Sequence, residues 1–210
     1  MPTSAQVRAL LDAAEGTEVG RALVTLATTG MRIGELLGAT WDDIDVDAGV
    51  ILIERTVTRD RQGRPVLGSR TKNKKARTLG LAPVAVQALR EQRRYVTESR
   101  LSSSTWQDNN LVFPTSRGTV REPNGFRKQL NKVIKKMNAA ASEDPDAPMW
   151  TAGSFHSLRH YFAGVGLTHA QAAQVQQLLG HTTLRMTTTV YGHLTEGVAT
   201  GVPLAVADSL

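Results

Sequence analysis

Apolar residues recur at helical spacing through the first forty positions of the chain. Thr3 or Ser4 can cap a first amphipathic helix. A second apolar helix is predicted from about Glu18 to Thr28, before a glycine that interrupts the pattern. A third, short helix begins near Ile33 and ends near Gly38. The amino-terminal part of the chain is therefore predicted to be helical.

The pattern then changes to short β-branched segments. Val50–Ile53 and Thr56–Thr58 are typical of strands, and Arg61–Pro65 is typical of a turn. A basic turn, Lys72–Lys75, precedes a further strand-like segment, Arg77–Leu79. These segments predict a small antiparallel sheet of about three strands between helical blocks.

The second half of the chain returns to helical spacing. Pro83 suits the first position of a long helix that extends to about Arg100, and another helix is predicted to begin near Pro123. Helical patterning resumes at Ser154 and continues to about Tyr191. The predicted fold class is α+β, mainly α-helical with one small antiparallel sheet.

The helix that begins near Pro123 has two chemically distinct sides. One side is an apolar stripe, and the lysines Lys128, Lys132, Lys135 and Lys136 lie away from it. Such lysines form either a solvated surface or a surface that follows DNA phosphates. The helix alone does not decide between these interpretations.

Composition favours an anionic partner. Lys and Arg number 25 against 19 Asp and Glu, which gives a formal net charge of +6. The 40% of hydrophobic residues suffices for a packed core. The absence of cysteine excludes thiolate catalysis and disulfides, and it fits a reducing cytosol. No segment approaches the ~18 continuous apolar residues of a membrane span, and no signal peptide is expected at Met1.

The stretch S-F-H-S-L-R-H brings together two imidazoles and a guanidinium. On a helix, His156, Arg159 and His160 point roughly the same way. A metalloprotease would need Glu directly after the first histidine, where Ser157 stands, and a guanidinium repels a divalent metal. The arginine instead favours an anion, since guanidinium forms a bidentate fork to phosphate. An ordinary polar helix face remains the alternative from this stretch alone.

Four separate sites carry polar groups that a core would not need. Each has an ordinary interpretation by itself, such as a surface arginine, a charged turn or a packed tyrosine. In chain order they are Thr29–Leu37 with Arg32, Thr71–Arg77 with its lysines, His156 to His160, and Leu178–His181 with Tyr191 ten positions later.

Together, in this order, the four sites resemble the catalytic domain of tyrosine recombinases, the phage integrase family, over the chain from Thr3 to about Leu194. The family pattern is T-G-x-R-x-G-E, a hairpin Lys five positions before an Arg, H-x-L-R-H, and L-G-H followed by Tyr, and each element matches here. The resemblance implies a catalytic set of Arg32, Lys72, His156, Arg159, His181 and Tyr191. Glu35 and His160 are implied as supporting residues.

The resemblance also implies the chemistry. DNA strands would be cleaved and rejoined by transesterification through a 3′-phosphotyrosine at Tyr191, without metal, ATP or any other cofactor. The arginine pair would stabilise the charge on the nonbridging oxygens, and His156 would accept the phenolic proton. Lys72 would protonate the departing 5′-oxygen, with Lys74 or Lys75 as rivals for that role. The expected DNA contacts are Arg77, Lys74, Lys75, Lys128, Lys132 and Lys135.

The expected partner is double-stranded DNA, bound by a tetramer at a synapse, with a monomer in the absence of DNA. We expect a cytoplasmic protein of a bacterial host, encoded by a phage or another mobile element. Residues 1–196 are expected to form the catalytic domain, without the upstream core-binding and arm-binding domains usual in the family. The apolar tail, 197–210, either folds back on its own domain or docks on a neighbouring protomer, and its glycines and proline make a long helix unfavourable.

Three alternatives remain open from the sequence. Type IB topoisomerases share the constellation and cleave DNA by the same step, although the T-G-x-R-x-G-E box is more similar to integrases. A basic DNA-binding module without catalysis would explain the charge but not the motifs. A metal-dependent hydrolase would be inhibited by a chelator.

Overall fold

The structure is a computed structural model that describes residues 1–68, 76–169, 172–180 and 202–210. Within these segments the helices are α1 (Ser4–Ala13), α2 (Glu18–Thr29), α3 (Ile33–Gly38), α4 (Pro83–Leu101), α5 (Pro123–Ala141), α6 (Phe155–His169), α7 (Ala172–Leu179) and α8 (Val202–Asp208). The strands are β1 (Ile44–Asp45), β2 (Val50–Ile53), β3 (Val57–Arg59), β4 (Pro65–Leu67) and β5 (Arg77–Gly80). None of the helices in the described segments is long and apolar enough to cross a membrane.

The first two helices begin at local sequence signals, and the second also ends at one. Thr3 caps α1 through a reciprocal capping box with Gln6. The Thr17 side chain accepts a hydrogen bond from the main-chain N–H of Gly20 at the start of α2. Gly30, in the left-handed conformation with φ of 64°, ends α2. The predicted positions of both helices are therefore confirmed, and capping chemistry explains them.

Helix α2 runs through the centre of the core. Ten of its twelve residues are buried, and it packs against α4, α6 and α8. The buried threonines satisfy their hydroxyls within the helix, as Thr25 does by donating to the Arg21 carbonyl at 2.9 Å. The turn that follows α2 is consequently surrounded by other elements rather than by solvent.

The main sheet has three strands, as predicted, but one of them differs from the prediction. Strand β2 pairs antiparallel with β1 and β5, so that Ile51 lies opposite Ile44 on one side and Leu79 on the other. The predicted strand at Thr56–Thr58 corresponds to β3, which pairs with β4 in a separate two-stranded ribbon. Its predicted place in the main sheet was wrong. The true third strand, β1, has two residues, too few to show an alternating pattern.

The β3–β4 ribbon lies beside α3. Its turn, predicted at 61–65, is confirmed, and the Asp60 carboxylate accepts the main-chain N–H of Arg64 at 2.8 Å to close it. A Cβ built on Gly38 would lie 3.2 Å from the main chain of Thr56. This close approach packs the start of the ribbon against the helix that follows Arg32.

The helices of the second half begin where proline predicts them. Pro83 and Pro123 occupy the first positions of α4 and α5. The helical pattern predicted from Ser154 is divided between α6 and α7, and α7 ends at Leu179. Its predicted continuation to Tyr191 lies outside the described residues.

The last helix, α8, packs against α6 and α2 of the same chain. Val202 and Val206 are buried in this contact, and the Tyr161 hydroxyl hydrogen-bonds Ser209 Oγ at 2.7 Å. The helix has seven residues, in agreement with the prediction that the tail would not form a long one. Docking of the tail on a neighbouring protomer stays a prediction.

Candidate active site

The turn after α2 brings the first arginine motif against α6 and α7. A Cβ built on Gly30 would lie 2.4 Å from the ring of Phe162 in α6 and 3.0 Å from the side chain of Leu179 in α7. Both the positive φ and this close approach require glycine. Arg32, two positions later, is near enough to His156 of α6 to influence its charge.

Arg32 and Glu35 form a pair at the start of α3. The Glu35 carboxylate accepts the main-chain N–H of Arg32 at 2.9 Å and its Nη1–H at 3.1 Å. The Arg32 side chain nevertheless keeps 41% of its surface exposed, whereas that of Glu35 keeps 8%. Arg32 is therefore anchored at one edge and still open to solvent, as a phosphate ligand needs to be.

Glu35 has a second partner in Arg77, the first residue of β5. Arg77 donates to both carboxylate oxygens of Glu35, at 2.7 and 3.2 Å, and its Nε–H donates to the Leu178 carbonyl at 2.8 Å. Burial raises the pKa of the Glu35 carboxyl, but the hydrogen bonds and charges of Arg77 and Arg32 outweigh it and hold that pKa below its ordinary value. Glu35 is thus a buried carboxylate shared by two cations.

The two histidines of α6 share one face, as predicted. The His156 and His160 ring centroids lie 4.6 Å apart in an edge-to-face arrangement. Partial burial, the neighbouring His160 ring and the cations Arg159 and Arg32 lower the pKa of His156. Burial also lowers the pKa of His160. Neutral imidazoles are therefore favoured at this face, and a neutral His156 can accept a proton.

The Arg159 side chain extends into the core, and its charge is still near enough to both histidines to lower their pKa values. Its side chain is buried, and its Nη1 and Nη2 donate to the carbonyls of Gly30 and Leu179 at 2.7 and 2.6 Å. A helix turns about 100° per residue, so Arg159 lies about 60° from His156 on the side of Phe162, whereas His160 lies on the opposite side of His156. The three residues lie within about 100° of one side of α6, as predicted, and Arg159 is the buried one among them.

The end of α7 is held by two arginines. The carbonyls of Leu178 and Leu179 accept from Arg77 and Arg159 respectively. Gly180 has φ of 63°, and a Cβ built on it would lie 2.9 Å from Nη1 of Arg77. The Leu-Gly segment that precedes His181 is therefore held by Arg77 of β5 and by Arg159 of α6.

Several predicted site residues lie outside the described residues, namely Lys72, Lys74, Lys75, His181 and Tyr191. The predicted DNA-contacting lysines of α5, Lys128, Lys132 and Lys135, are exposed. Among the described residues, no group of three or more histidine, aspartate and glutamate side chains could hold a metal ion. The structure thus brings together Arg32, Glu35, Arg77, His156, Arg159 and His160.

Main-chain groups of the site were missed by sequence reasoning. The carbonyls of Gly30, Leu178 and Leu179 accept from Arg159 and Arg77, and a carbonyl carries no side-chain signal in a sequence. The Arg77–Glu35 pair was also missed. Glu35, at the third position of α3, needs a cationic partner because it is buried. That partner, Arg77, lies 42 residues later in the sequence, where no local signal points to it.

Known proteins with sequences similar to this chain belong to the family that the four motifs resemble. A model of the phage integrase family matches residues 2–197. The tyrosine recombinase XerD of Halalkalibacterium halodurans is 30% identical over 200 residues, covering 92% of this chain and 57% of the relative. An integrase of Streptomyces ambofaciens is 28% identical over 201 residues, covering 90% and 48%. The chain spans about half the length of the curated relatives it matches.

A solved structure shares the fold. The Tn1549 transposon integrase, in complex with circular intermediate DNA, is similar with a TM-score of 0.73 at 20% sequence identity. The similarity covers 91% of this chain and 62% of that one. The mainly helical arrangement with small antiparallel sheets is therefore a known arrangement, found in a protein solved together with DNA.

Proposed function

Because this chain belongs to the phage integrase family, we propose that it is the catalytic domain of a site-specific DNA recombinase. One observation supports this above all. Gly30, Leu178 and Leu179 accept hydrogen bonds from Arg159 and Arg77, which draws four motifs far apart in sequence into one site. A surface arginine or an ordinary polar helix face would not need such convergence.

The proposed reaction is a reversible transesterification. The phenolic oxygen of Tyr191 attacks the scissile phosphorus, a 3′-phosphotyrosyl ester forms, and the bond to the 5′-oxygen breaks. The phenolic proton passes to His156, and the departing 5′-oxygen receives a proton from Lys72. Attack by a 5′-hydroxyl on the phosphotyrosyl ester reverses these steps, so no bond energy is lost and no ATP is required.

Cationic side chains would stabilise the transition state. Arg32 is exposed and anchored by Glu35, which suits a guanidinium that receives a phosphate. The two main-chain bonds of Arg159 fix the plane of its guanidinium before DNA arrives. Preorganised donors of this kind stabilise developing charge without reorganisation during the reaction. His181 would add a hydrogen bond to the same phosphate.

His156 suits the role of proton acceptor. Burial, His160 and the nearby guanidinium groups lower its pKa, so its neutral form predominates near neutral pH. The phenol has an ordinary pKa near ~10, and a neutral imidazole beside two cations assists its deprotonation. His160 would act as a supporting residue by keeping its neighbour neutral.

The proposed partner is double-stranded DNA carrying a recombination site. The net charge of +6 and the exposed lysines of α5 support backbone contacts. Exchange of both strands of two duplexes requires four cleavages, each forming one tyrosyl ester, so we propose a tetramer on the synapse and a monomer without DNA. The DNA substrate would place the protein in the bacterial cytoplasm, encoded by a phage or another mobile element.

Covalent trapping tests this function. A pool of nicked duplexes with a randomised core is incubated with the protein, and adducts stable to denaturant are isolated, sequenced and digested to identify the attached residue. Adducts at Tyr191 that are absent from Tyr191→Phe are expected, and chelator should not change their yield. Tight binding without any adduct would contradict the proposal.

The selected site then separates recombination from topoisomerase action. Two duplexes that carry the site should exchange strands in the presence of the protein. Relaxation of supercoils without exchange would favour the type IB topoisomerase alternative instead.

A further inference from the structure

We infer that Arg77 is a positioning residue that holds Arg32 and the Leu178–Gly180 segment in one arrangement, and that it is not a DNA contact. This inference rests on the proposed function. It assigns to Arg77 a task different from that of the neighbouring lysines, with which the sequence grouped it as a DNA-contacting residue.

The guanidinium of Arg77 is directed inward. Its Nη2 and Nη1 donate to the two oxygens of Glu35 at 2.7 and 3.2 Å, and its Nε–H donates to the Leu178 carbonyl at 2.8 Å. The side chain has 14% of its surface exposed. A DNA phosphate would have to compete for these donors with a carboxylate that is already bound in bidentate geometry.

Glu35 connects Arg77 to Arg32, because both of its carboxylate oxygens accept hydrogen bonds from both arginines. Oε1 accepts from Nη1 of Arg32 at 3.1 Å and from Nη1 of Arg77 at 3.2 Å. Oε2 accepts the main-chain N–H of Arg32 at 2.9 Å and Nη2 of Arg77 at 2.7 Å. Each oxygen therefore has one donor from each arginine.

This sharing has a consequence for catalysis. With Arg77 present, the buried carboxylate is balanced without relying on Arg32 alone. Without Arg77, Arg32 becomes the main counterion of Glu35 and is drawn away from the phosphate. The orientation of the catalytic arginine thus depends on a residue 45 positions later that does not need to meet the DNA.

Arg77 also fixes the segment before His181. Its bond to Leu178 and its contact with Gly180, whose Cβ would lie 2.9 Å from Nη1, hold the end of α7 against β5. Arg77 itself begins β5 and follows Lys72 by five positions in the sequence. One side chain therefore links three of the four motifs.

The experiment compares Arg77→Met with Lys132→Ala. Methionine keeps the packing of the aliphatic stem but removes the donors. At saturating DNA we expect Arg77→Met to slow single-turnover cleavage by about 100-fold, because small misplacements of catalytic groups cost rates of this order. Its affinity should stay within about 3-fold of wild type with an unchanged salt slope, whereas Lys132→Ala should reduce the slope by about one.

A second substitution distinguishes positioning from general damage. Adding Glu35→Gln to Arg77→Met removes the carboxylate that captures Arg32, so the double variant should cleave faster than Arg77→Met alone. Arg77→Lys should retain a larger share of activity than Arg77→Met, since an ammonium can still balance Glu35. Wild-type cleavage by Arg77→Met, or a loss of salt slope equal to that of Lys132→Ala, would overturn the inference.

A direct readout separates this inference from the proposed function. The Nε–H resonance of Arg32, assigned from its absence in Arg32→Lys, should shift in Arg77→Met in the absence of DNA. An unchanged resonance would refute the positioning role even if the wild type cleaves DNA. Failure of the wild type to form a Tyr191 adduct would refute the function while leaving this measurement valid.

Discussion

Nη2 of Arg159 donates a 2.6 Å hydrogen bond to the main-chain carbonyl of Leu179, two positions before His181. Its Nη1 donates to the carbonyl of Gly30, two positions before Arg32. Arg159 is buried, whereas Arg32 keeps 41% of its side chain exposed. The two proposed phosphate ligands therefore differ in what they contribute to the fold.

That difference predicts separable effects of two identical substitutions. Arg159→Lys cannot keep both carbonyl bonds, and an unsatisfied buried carbonyl costs about 1–3 kcal/mol, so its unfolding free energy in urea should fall by that amount. Arg32→Lys lies at the surface and should change stability by less than about 1 kcal/mol.

Both arginine variants should cleave DNA more slowly by orders of magnitude at saturating DNA, because an ammonium does not reproduce a fork to two oxygens. Lys135→Ala is the control and should weaken binding without changing the rate once DNA saturates it. Normal cleavage by either arginine variant would contradict its role at the phosphate.

The pH dependence of cleavage should report His156. Burial, His160 and the guanidinium groups lower its pKa, so the neutral acceptor persists below the ordinary histidine value of about 6.5 and activity is lost only at lower pH. Cleavage rates at subsaturating DNA, which report the free protein, should show this acid limb.

His160→Gln should move that acid limb to higher pH, because the neighbouring ring that disfavours protonation of His156 is removed. His169→Gln, at the exposed end of α6, is the matched control and should leave the limb in place. An acid limb that is the same in wild type and in His156→Gln would exclude His156 as the acceptor.

Gly30→Ala should damage the site through two additive causes. Alanine in the left-handed conformation costs about 1–2 kcal/mol, and its Cβ would lie 2.4 Å from Phe162, which adds about 1–3 kcal/mol of overpacking. Gly16→Ala is the control, since φ is 72° there and nothing lies within 4 Å.

The two glycine variants are compared by urea unfolding and by cleavage. Gly16→Ala should lose only the conformational part of the stability and cleave normally. Equal stability losses in the two variants would mean that Phe162 leaves room for a Cβ at position 30.

The proposed general-acid role of Lys72 is tested with a modified substrate. A 5′-bridging phosphorothiolate has a sulfur that departs without protonation, so it should largely restore cleavage to Lys72→Ala. Lys74→Ala and Lys75→Ala are parallel controls, since either lysine is a rival for the role. Rescue of one of these controls would reassign the general acid, and rescue of none would remove it from the turn.

Elements with local signals were predictable, and those that depend on distant partners were not. The capping box of Thr3 and the proline at the start of α4 lie within a few residues of the ends they define. The pairing of β2 with Ile44–Asp45 depends on a strand of two residues that has no pattern of its own. Which strand β2 pairs with, and in which register, is decided only when the chain folds.

The candidate site also contains some features that the sequence predicts and others that depend on distant partners. Motif order and spacing predicted Arg32, His156 and Arg159 as site residues, because each residue type carries its chemistry in the sequence, and the structure brings the three together. The burial of Arg159 could not be predicted from the sequence, because Gly30 and α7, which surround its guanidinium, are distant from it along the chain. The shared carboxylate of Glu35 was hidden for the same reason.

The last prediction concerns α8 and where it docks. A Cβ built on Gly166 of α6 would lie 3.0 Å from Cγ1 of Val202, and the sequence has no cysteine. Gly166→Cys with Val202→Cys should therefore form a disulfide that locks α8 onto its own chain. If the tail must move to a neighbouring protomer for synapsis, the oxidised variant should bind single sites normally, fail to assemble the tetramer, and recover on reduction. The two single-cysteine variants control for the substitutions themselves. Normal synapsis and cleavage by the fully oxidised variant would show that α8 works within its own chain, and the trans-docking prediction would then be wrong.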